Sequence, residues 1–143
     1  MESTIYQAGK SAYVIIGPEG ATNFSIVKGG GGAAVLIDVD IRRIDEVEEA
    51  LKLTGCSEVK YLINTHEHFD HTSGNFYFRE RGIPIVASAG CVRAMHGNLE
   101  EIKSGRKSRD EVAKHMLSGS YAGLGKTRMI ERNINQFLTG RWF

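Results

Sequence analysis

The chain has few cysteines, and this bounds the class of protein. Its 143 residues include only two, Cys56 and Cys91, and they are not in a C-x-x-C spacing. Two cysteines do not make the disulfide framework of a small secreted domain, so we expect both to be free thiols in a reducing compartment. A disulfide between them is the alternative.

Long hydrophobic runs are also missing. The longest run near the N-terminus, Ala12 to Ile16, is far shorter than the ~7 to 15 residues of a secretory signal core or the ~20 of a membrane span. We therefore expect a cytoplasmic protein without a membrane segment. A hydrophobic content of 41% with 24% charged residues is ordinary for a globular chain and excludes a disordered one.

Metal-binding side chains, in contrast, are concentrated at one place. The segment 65–71 reads Thr-His-Glu-His-Phe-Asp-His and holds three of the five histidines of the chain. It follows an apolar run, 60–65, that reads as a short buried strand. Neutral imidazole is the usual zinc ligand, and a carboxylate supplies the oxygen ligand that such sites also use. The sequence therefore predicts a metal site at the C-terminal end of a strand, with a zinc role for Cys91 as a further alternative.

The spacing of the donors indicates how they could share two ions. Residues two apart in an extended stretch point the same way, so His66 and His68 could hold one ion together. A chain that turns into a helix after His68 would aim Asp70 and His71 at a second ion. Two-metal hydrolytic centres place their ions about 3.5 to 4 Å apart.

This H-x-H-x-D-H segment, with 72–75 reading Thr-Ser-Gly-Asn, resembles the signature of the metallo-β-lactamase superfamily. Upstream, 23–27 and the apolar run 34–38, which ends in aspartate, are similar to the opening hairpin of that family. Downstream, 74–87 is similar to its next helix and strand. The resemblance extends from about Ile5 to Gly97.

The resemblance implies roles for the clustered residues. His66 and His68 would bind a first zinc, and Asp70 and His71 a second, with Asp70 also acting as a catalytic proton carrier. Asp38 would hold the ligand side chains in place without binding the metal itself. The implied activity is hydrolysis of an ester, thioester, lactam or phosphoester by a metal-bound water.

The expected fold is an α/β, metallo-β-lactamase-like half domain, a mixed sheet flanked by helices, over residues 1–97. Residues 11–16 and 23–27 read as strands of a hairpin. Asp40 is expected to cap a helix with Ile44 and Val47 on its apolar face.

The remaining residues, 98–143, are expected to form a helical, basic segment that packs on the first part or on a partner. Capping-box patterns at Asn98 and Ser108 predict two short helices. From Glu101 onward nine basic side chains face four acidic ones, whereas the first hundred residues hold nine against thirteen. A solvated helical surface explains this balance, and a nucleic-acid processing factor is the alternative.

The ligands of the second half of the family have no counterpart after Gly97. Only His96, Asp110 and His115 remain as further donors, none in a matching context. We therefore expect weak or no hydrolysis by the isolated chain, with a truncated, non-catalytic metal-binding or assembly module as the alternative. An uncovered sheet face near Val35, Ile37, Ile63, Ile85 and Trp142 favours a homodimer, which could bring His96 or His115 to the metal ligands of the other copy.

Overall fold

The computed structural model describes residues 3–18 and 21–105, which form a mixed six-stranded sheet in the order β1-β2-β3-β4-β5-β6. Strands β1 to β4 pair antiparallel, and β4, β5 and β6 pair parallel. The predicted mixed sheet is thereby confirmed. The strands are β1 Thr4–Gln7, β2 Ala12–Ile16, β3 Phe24–Lys28, β4 Ala33–Ile37, β5 Glu58–Asn64 and β6 Ile85–Ala87.

Four α-helices accompany the sheet in the described part of the chain. Asp40 starts the first as predicted, because its carboxylate accepts a hydrogen bond from the Arg42 backbone N–H at 2.9 Å and so caps a short 3-10 turn. That turn, Ile41–Arg43, leads directly into the first helix. The helices are α1 Ile44–Leu53, α2 Phe69–Thr72, α3 Asn75–Glu80 and α4 Ala89–Lys103.

The hydrophobic core lies on one face of the sheet, beneath α1 and α3. Alternate strand residues point into it, so each strand contributes every second side chain. Burying each large aliphatic side chain contributes about 1.5 to 3 kcal/mol before the entropy of ordering is subtracted. The buried cluster includes Ile15, Phe24, Ile26, Leu36 and Leu62 from the strands, Val47 and Ala50 from α1, and Phe78 from α3.

The opposite face of the sheet is apolar and partly exposed. Val35 pairs with Val27 on one side and with Tyr61 on the other, and the last two side chains are 39% and 47% exposed. Ile37 and Ile63 extend this face and are half-buried. We call these residues, with Val86, the open face.

Ile85 and Trp142 were expected near the open face, and the structure describes only the first of them. Ile85 was expected near it but lies on the core face, because it pairs with the buried Leu62 and packs against the core cluster. Trp142 lies outside the described residues.

The last described helix also differs from expectation. A helix start was expected at Asn98, but α4 already begins at Ala89. The reason is Ser88, whose hydroxyl accepts a hydrogen bond from the Cys91 backbone N–H at 3.1 Å and so caps the helix earlier. The second expected helix, at Ser108, lies outside the described residues. In the described part of the chain, no helix is long and apolar enough to span a membrane.

Candidate metal centre

The candidate site lies at the C-terminal ends of the parallel strands β4 and β5. Ile37 at the end of β4 pairs with Ile63 near the end of β5, so the residues that follow these strands emerge side by side. Asp38 follows β4, and its backbone N–H donates to the Ile63 carbonyl at 2.9 Å. His66 follows β5. Side chains from two distant parts of the sequence therefore meet at one edge of the sheet.

Three imidazole rings cluster at this edge. The ring centroids of His66 and His68 are 4.6 Å apart, and those of His66 and His71 are 4.0 Å apart. The expectation of an extended stretch through these histidines is wrong, because β5 ends at Asn64 and the chain bends over 65–67. The bend and the start of α2 at Phe69 bring the three rings together instead.

Asp38 is the hydrogen-bonding centre of the cluster. One carboxylate oxygen accepts from the Thr65 backbone N–H at 2.8 Å, and the other accepts from the Thr65 hydroxyl at 2.6 Å and lies 2.9 Å from His71 Nδ1. Burial alone would raise the pKa of Asp38, but the hydrogen bonds from His71 and Thr65 outweigh it, and the pKa is lowered. The carboxylate is therefore ionised and accepts all three bonds.

These bonds decide which ring nitrogen of each histidine carries a proton. His71 Nδ1 must donate, because the ionised carboxylate of Asp38 can only accept. The single hydroxyl proton of Thr65 goes to Asp38, so Thr65 Oγ1 can only accept from His66 Nδ1, which lies 3.0 Å away. In the neutral form of both rings, Nε2 is then left as the unprotonated nitrogen that a metal needs.

The surroundings of His71 favour a positive charge at the site. Burial lowers the pKa of His71, but the hydrogen bond to Asp38 and the negative charges of Asp70 and Asp38 raise it more, so that the pKa lies above its ordinary value. His71 Nε2 is 3.5 Å from a carboxylate oxygen of Asp70. A cation placed between these groups would meet the same attraction as the proton does.

The donors fit a divalent metal ion. One ligand atom from each of Asp38, His66 and His71 lies within 4.8 Å of the others. Both oxygens of Asp38 already accept hydrogen bonds. We therefore assign Asp38 the role of orienting the imidazoles of His66 and His71, and not that of a direct ligand of the ion. His68 lies beside His66, and Asp70 lies beside His71.

Backbone hydrogen bonds fix the segment that carries the histidines. The Val39 N–H donates to the His71 carbonyl at 3.1 Å, and the Gly74 N–H donates to the Val39 carbonyl at 2.8 Å. Gly74 is required here, because a Cβ atom would lie 2.6 Å from that carbonyl oxygen. Buried Asn64 and Asn75 exchange two side-chain hydrogen bonds of 3.0 and 2.7 Å, and Asn64 also donates to the His71 carbonyl.

Asp70 has a partner that sequence reasoning did not find. The hydroxyl of Thr22 donates to Asp70 Oδ2 at 2.6 Å, across 48 residues of sequence. Neither a repeat nor a spacing in the sequence links these two positions. The amides of Asn64 and Asn75 could have been suspected, because both flank the histidine segment and a buried amide needs a partner.

Among the described residues, the remaining candidate donors are not part of the group formed by Asp38, His66 and His71. His96 is exposed on α4. Cys91 is buried and free, as is Cys56, and burial together with the nearby charges of Glu67 and Asp38 raises the pKa of the Cys91 thiol. His115 and Asp110 lie outside the described residues.

Comparison with known families agrees with this fold. The sequence profile of the metallo-beta-lactamase superfamily matches residues 17–128, most of the chain. The chain therefore belongs to the metallo-β-lactamase superfamily. The match begins later than Ile5 and ends later than Gly97, and the division of the chain at residue 97 stays a prediction.

Solved structures give the same fold. DIM-1 metallo-beta-lactamase matches with a TM-score of 0.52 and 18% identity, over 76% of this chain and 49% of its own. The metallo-beta-lactamase FIM-1 from Pseudomonas aeruginosa, in its mono-zinc form, matches with a TM-score of 0.55 and 20% identity, over 65% of this chain and 45% of its own. A metallo-beta-lactamase from Pontibacter korlensis matches with a TM-score of 0.54 and 21% identity, over 67% of this chain and 48% of its own. The chain thus spans about half the length of these relatives.

Proposed function

We propose that this chain is a metal-binding domain of the hydrolase type, which holds one or two divalent ions through His66, His68, Asp70 and His71. Zinc is the first candidate, because imidazole with carboxylate is a donor set that zinc commonly takes. The observation that carries the proposal is the convergence of three imidazole rings within 4.0 to 4.6 Å, with ligand atoms of His66 and His71 grouped beside Asp38.

The residues of the chain have distinct roles in this proposal. Asp38 holds His71 directly and His66 through Thr65, so that both rings present Nε2. Asp70, held by Thr22, binds the ion and carries the proton that hydrolysis moves. A bound divalent ion supplies Lewis acidity and lowers the pKa of water toward neutrality.

The substrate class follows from this chemistry and from the family. An ester, thioester, lactam or phosphoester each presents a carbonyl or phosphoryl group that a Lewis acid polarises. The solved relatives are β-lactamases by name, which keeps a lactam among the candidates.

We expect weak or no hydrolysis of a chromogenic β-lactam and of a thioester by the isolated chain. A catalytic zinc typically has three protein ligands and one open position, and the pairs proposed here supply two per ion. An ion held by two ligands positions its water poorly. Turnover that is robust and abolished by a chelator would contradict this expectation.

Metal content tests the proposal directly. Protein purified without chelator should contain zinc or a similar ion by elemental analysis. The double variant His66→Ala/His68→Ala should lose most of it, because the site keeps only one imidazole. His96→Ala is the matched control, since His96 is an exposed histidine outside the cluster, and it should keep the metal of the parent. A double variant with parental metal content would show that the assignment is wrong.

We also propose a homodimer, supported by the open face of the sheet. Tyr61 and Val86 on this face are 47% and 44% exposed, and apolar surface of this kind is favourable to bury at about 25 cal/mol per Å². Light scattering at micromolar concentration should give twice the chain mass. Tyr61→Glu, which places a charge on that face, should give a monomer, and a monomeric parent would overturn the proposal.

A further inference from the structure

A buried arginine lies beneath the loop that holds Asp70. Arg43, at the end of the turn before α1, is 2% exposed. A buried guanidinium is costly unless its charge and its donors are satisfied. Glu46 supplies the charge, with one carboxylate oxygen 3.1 Å from the guanidinium, and the ring of Phe24 lies 4.8 Å below it.

The other donors of Arg43 hold the backbone on both sides of the loop 17–22. One terminal nitrogen donates to the Ile15 carbonyl at 3.1 Å and to the Thr22 carbonyl at 2.5 Å. Gly17 passes so close that a Cβ atom there would lie 3.0 Å from the same nitrogen. The guanidinium therefore joins the end of β2 to Thr22 and sets the position of the Thr22 backbone.

Thr22 connects the Arg43 guanidinium to the candidate metal centre. Its carbonyl accepts from Arg43, while its hydroxyl donates to Asp70. The two contacts belong to one residue, so a shift of its backbone must shift the hydroxyl as well. The metal-binding carboxylate is thus linked through a single residue to the Arg43–Glu46 pair.

We propose that Arg43 is a positioning residue for Asp70 and acts through Thr22. The inference rests on the proposed function, in which Asp70 binds an ion. Arg43 does not bind metal. It fixes the place from which the Thr22 hydroxyl holds Oδ2 of Asp70, the oxygen that lies 3.5 Å from His71 Nε2.

A double-mutant cycle on metal affinity separates this role from a purely structural one. Zn²⁺ affinity is measured by competition with a coloured chelator, and the visible spectrum of the Co²⁺ form reports the ligand geometry. Thr22→Val removes the hydroxyl from a half-buried position and should weaken Zn²⁺ binding by roughly 10-fold, the lower end of the effect of losing a partner of a ligand. Thr22→Ser should restore it.

Arg43→Lys keeps the charge, but its single nitrogen cannot hold the two carbonyls and Glu46 at the same time, as the separate nitrogens of the guanidinium do, and it should weaken Zn²⁺ binding several-fold and alter the Co²⁺ spectrum. In the Thr22→Val background the same change should have no further effect. Val47→Ala, a core change in α1, is the control that lowers stability without moving either readout. If Arg43→Lys does not fold, Glu46→Gln takes its place in the cycle.

The outcomes separate the two claims. Additive effects of the two substitutions, or a Thr22→Val variant with parental affinity, would overturn the inference while the metal site stands. A parent that binds neither Zn²⁺ nor Co²⁺ would overturn the proposed function and the inference with it.

Discussion

The parallel and antiparallel parts of the sheet contribute differently to the candidate metal centre. The parallel strands β4 and β5 end at one edge and deliver Asp38 and His66 there directly. The antiparallel strands β2 and β3 deliver no ligand, but the loop between them carries Thr22, which holds Asp70. The first part supplies donors by its topology, and the second supplies support by hydrogen bonding.

This difference predicts where damage should appear. Changes at the ends of the parallel strands should alter metal affinity more than stability, since Asp38 and His66 serve the candidate site and are not part of the hydrophobic core. Changes under the antiparallel part should first alter stability. Changes at the junction between the two parts, where Val39 contacts Gly74, should also lower the free energy of unfolding, because backbone packing is tight there.

The largest effect is expected for Asp38→Asn. Metal affinity should fall by about 10- to 100-fold, because the variant replaces one of the two acceptor oxygens with an NH2 donor, so the side chain can no longer accept from the Thr65 backbone and from the His71 and Thr65 side chains together. Asp38 has a positive φ of 51°, which asparagine also tolerates, so the backbone should not change.

Chelator competition measures this effect, and Asp45→Asn on the exposed side of α1 makes the same chemical change as a control. If Asp38→Asn bound metal as tightly as the control, the orienting role of Asp38 would be refuted.

A smaller effect, on stability, is expected for Gly74→Ala. The added Cβ would lie 2.6 Å from the Val39 carbonyl oxygen, and forcing the backbone apart should cost about 2 kcal/mol in the free energy of unfolding. Urea unfolding of the metal-free protein measures it.

Gly97→Ala is the matched control for that change, since its Cβ would meet nothing within 4 Å inside α4, and it should raise stability by up to about 1 kcal/mol. Equal effects of the two substitutions would show that the junction is not tightly packed.

The smallest effect is expected for Glu46→Gln, beneath the antiparallel part. Burial alone would raise the pKa of Glu46, but hydrogen bonds from Arg43 and Ser3 outweigh it and lower the pKa. A lowered pKa contributes stability above the unfolded value of about 4.3 and loses it as the pH falls through the folded value. The variant should therefore be less stable by about 1 kcal/mol at pH 7 and nearly equal to the parent at low pH.

Urea unfolding of the metal-free protein at a series of pH values measures this difference. Glu49→Gln, the same chemical change on the exposed side of the same helix, is the comparison variant. A constant difference between Glu46→Gln and the parent at all pH values would contradict the ion pair.

Local patterns in the sequence account for most of the elements of the fold. Apolar runs bounded by turn residues predicted β2, β3 and β5, the resemblance to the family added β4 and β6, and the capping residue Asp40 together with the spacing of Ile44 and Val47 predicted α1. Strand β1 was not predicted, because it is short and largely exposed and has no buried alternation. The start of α4 was placed too late, because two capping signals compete and the serine before Ala89 acts first.

The candidate site also has one part that local sequence patterns predict and one part that depends on residues far apart in the sequence. The cluster of His66, His68 and His71 was predicted because its members are close in sequence. The contacts of Thr22 with Asp70 and Arg43 join residues that are 48 and 21 positions apart, a relation that no spacing within the sequence expresses. The sequence therefore named the candidate ligands, and the resemblance named Asp38 as their support, but neither named Thr22 or Arg43.

X-ray absorption at the zinc edge of the zinc-loaded protein tests the central claim most directly. It distinguishes nitrogen and oxygen ligands at about 2.0 to 2.1 Å from sulfur at about 2.3 Å, and it counts imidazole rings by their multiple scattering. The account predicts a shell of nitrogen and oxygen with scattering from more than one imidazole ring, and His66→Ala/His68→Ala should keep little zinc, with at most the one ring of His71 per ion. A sulfur ligand, which would point to a cysteine such as Cys91, or undiminished imidazole scattering in the double variant, would contradict it.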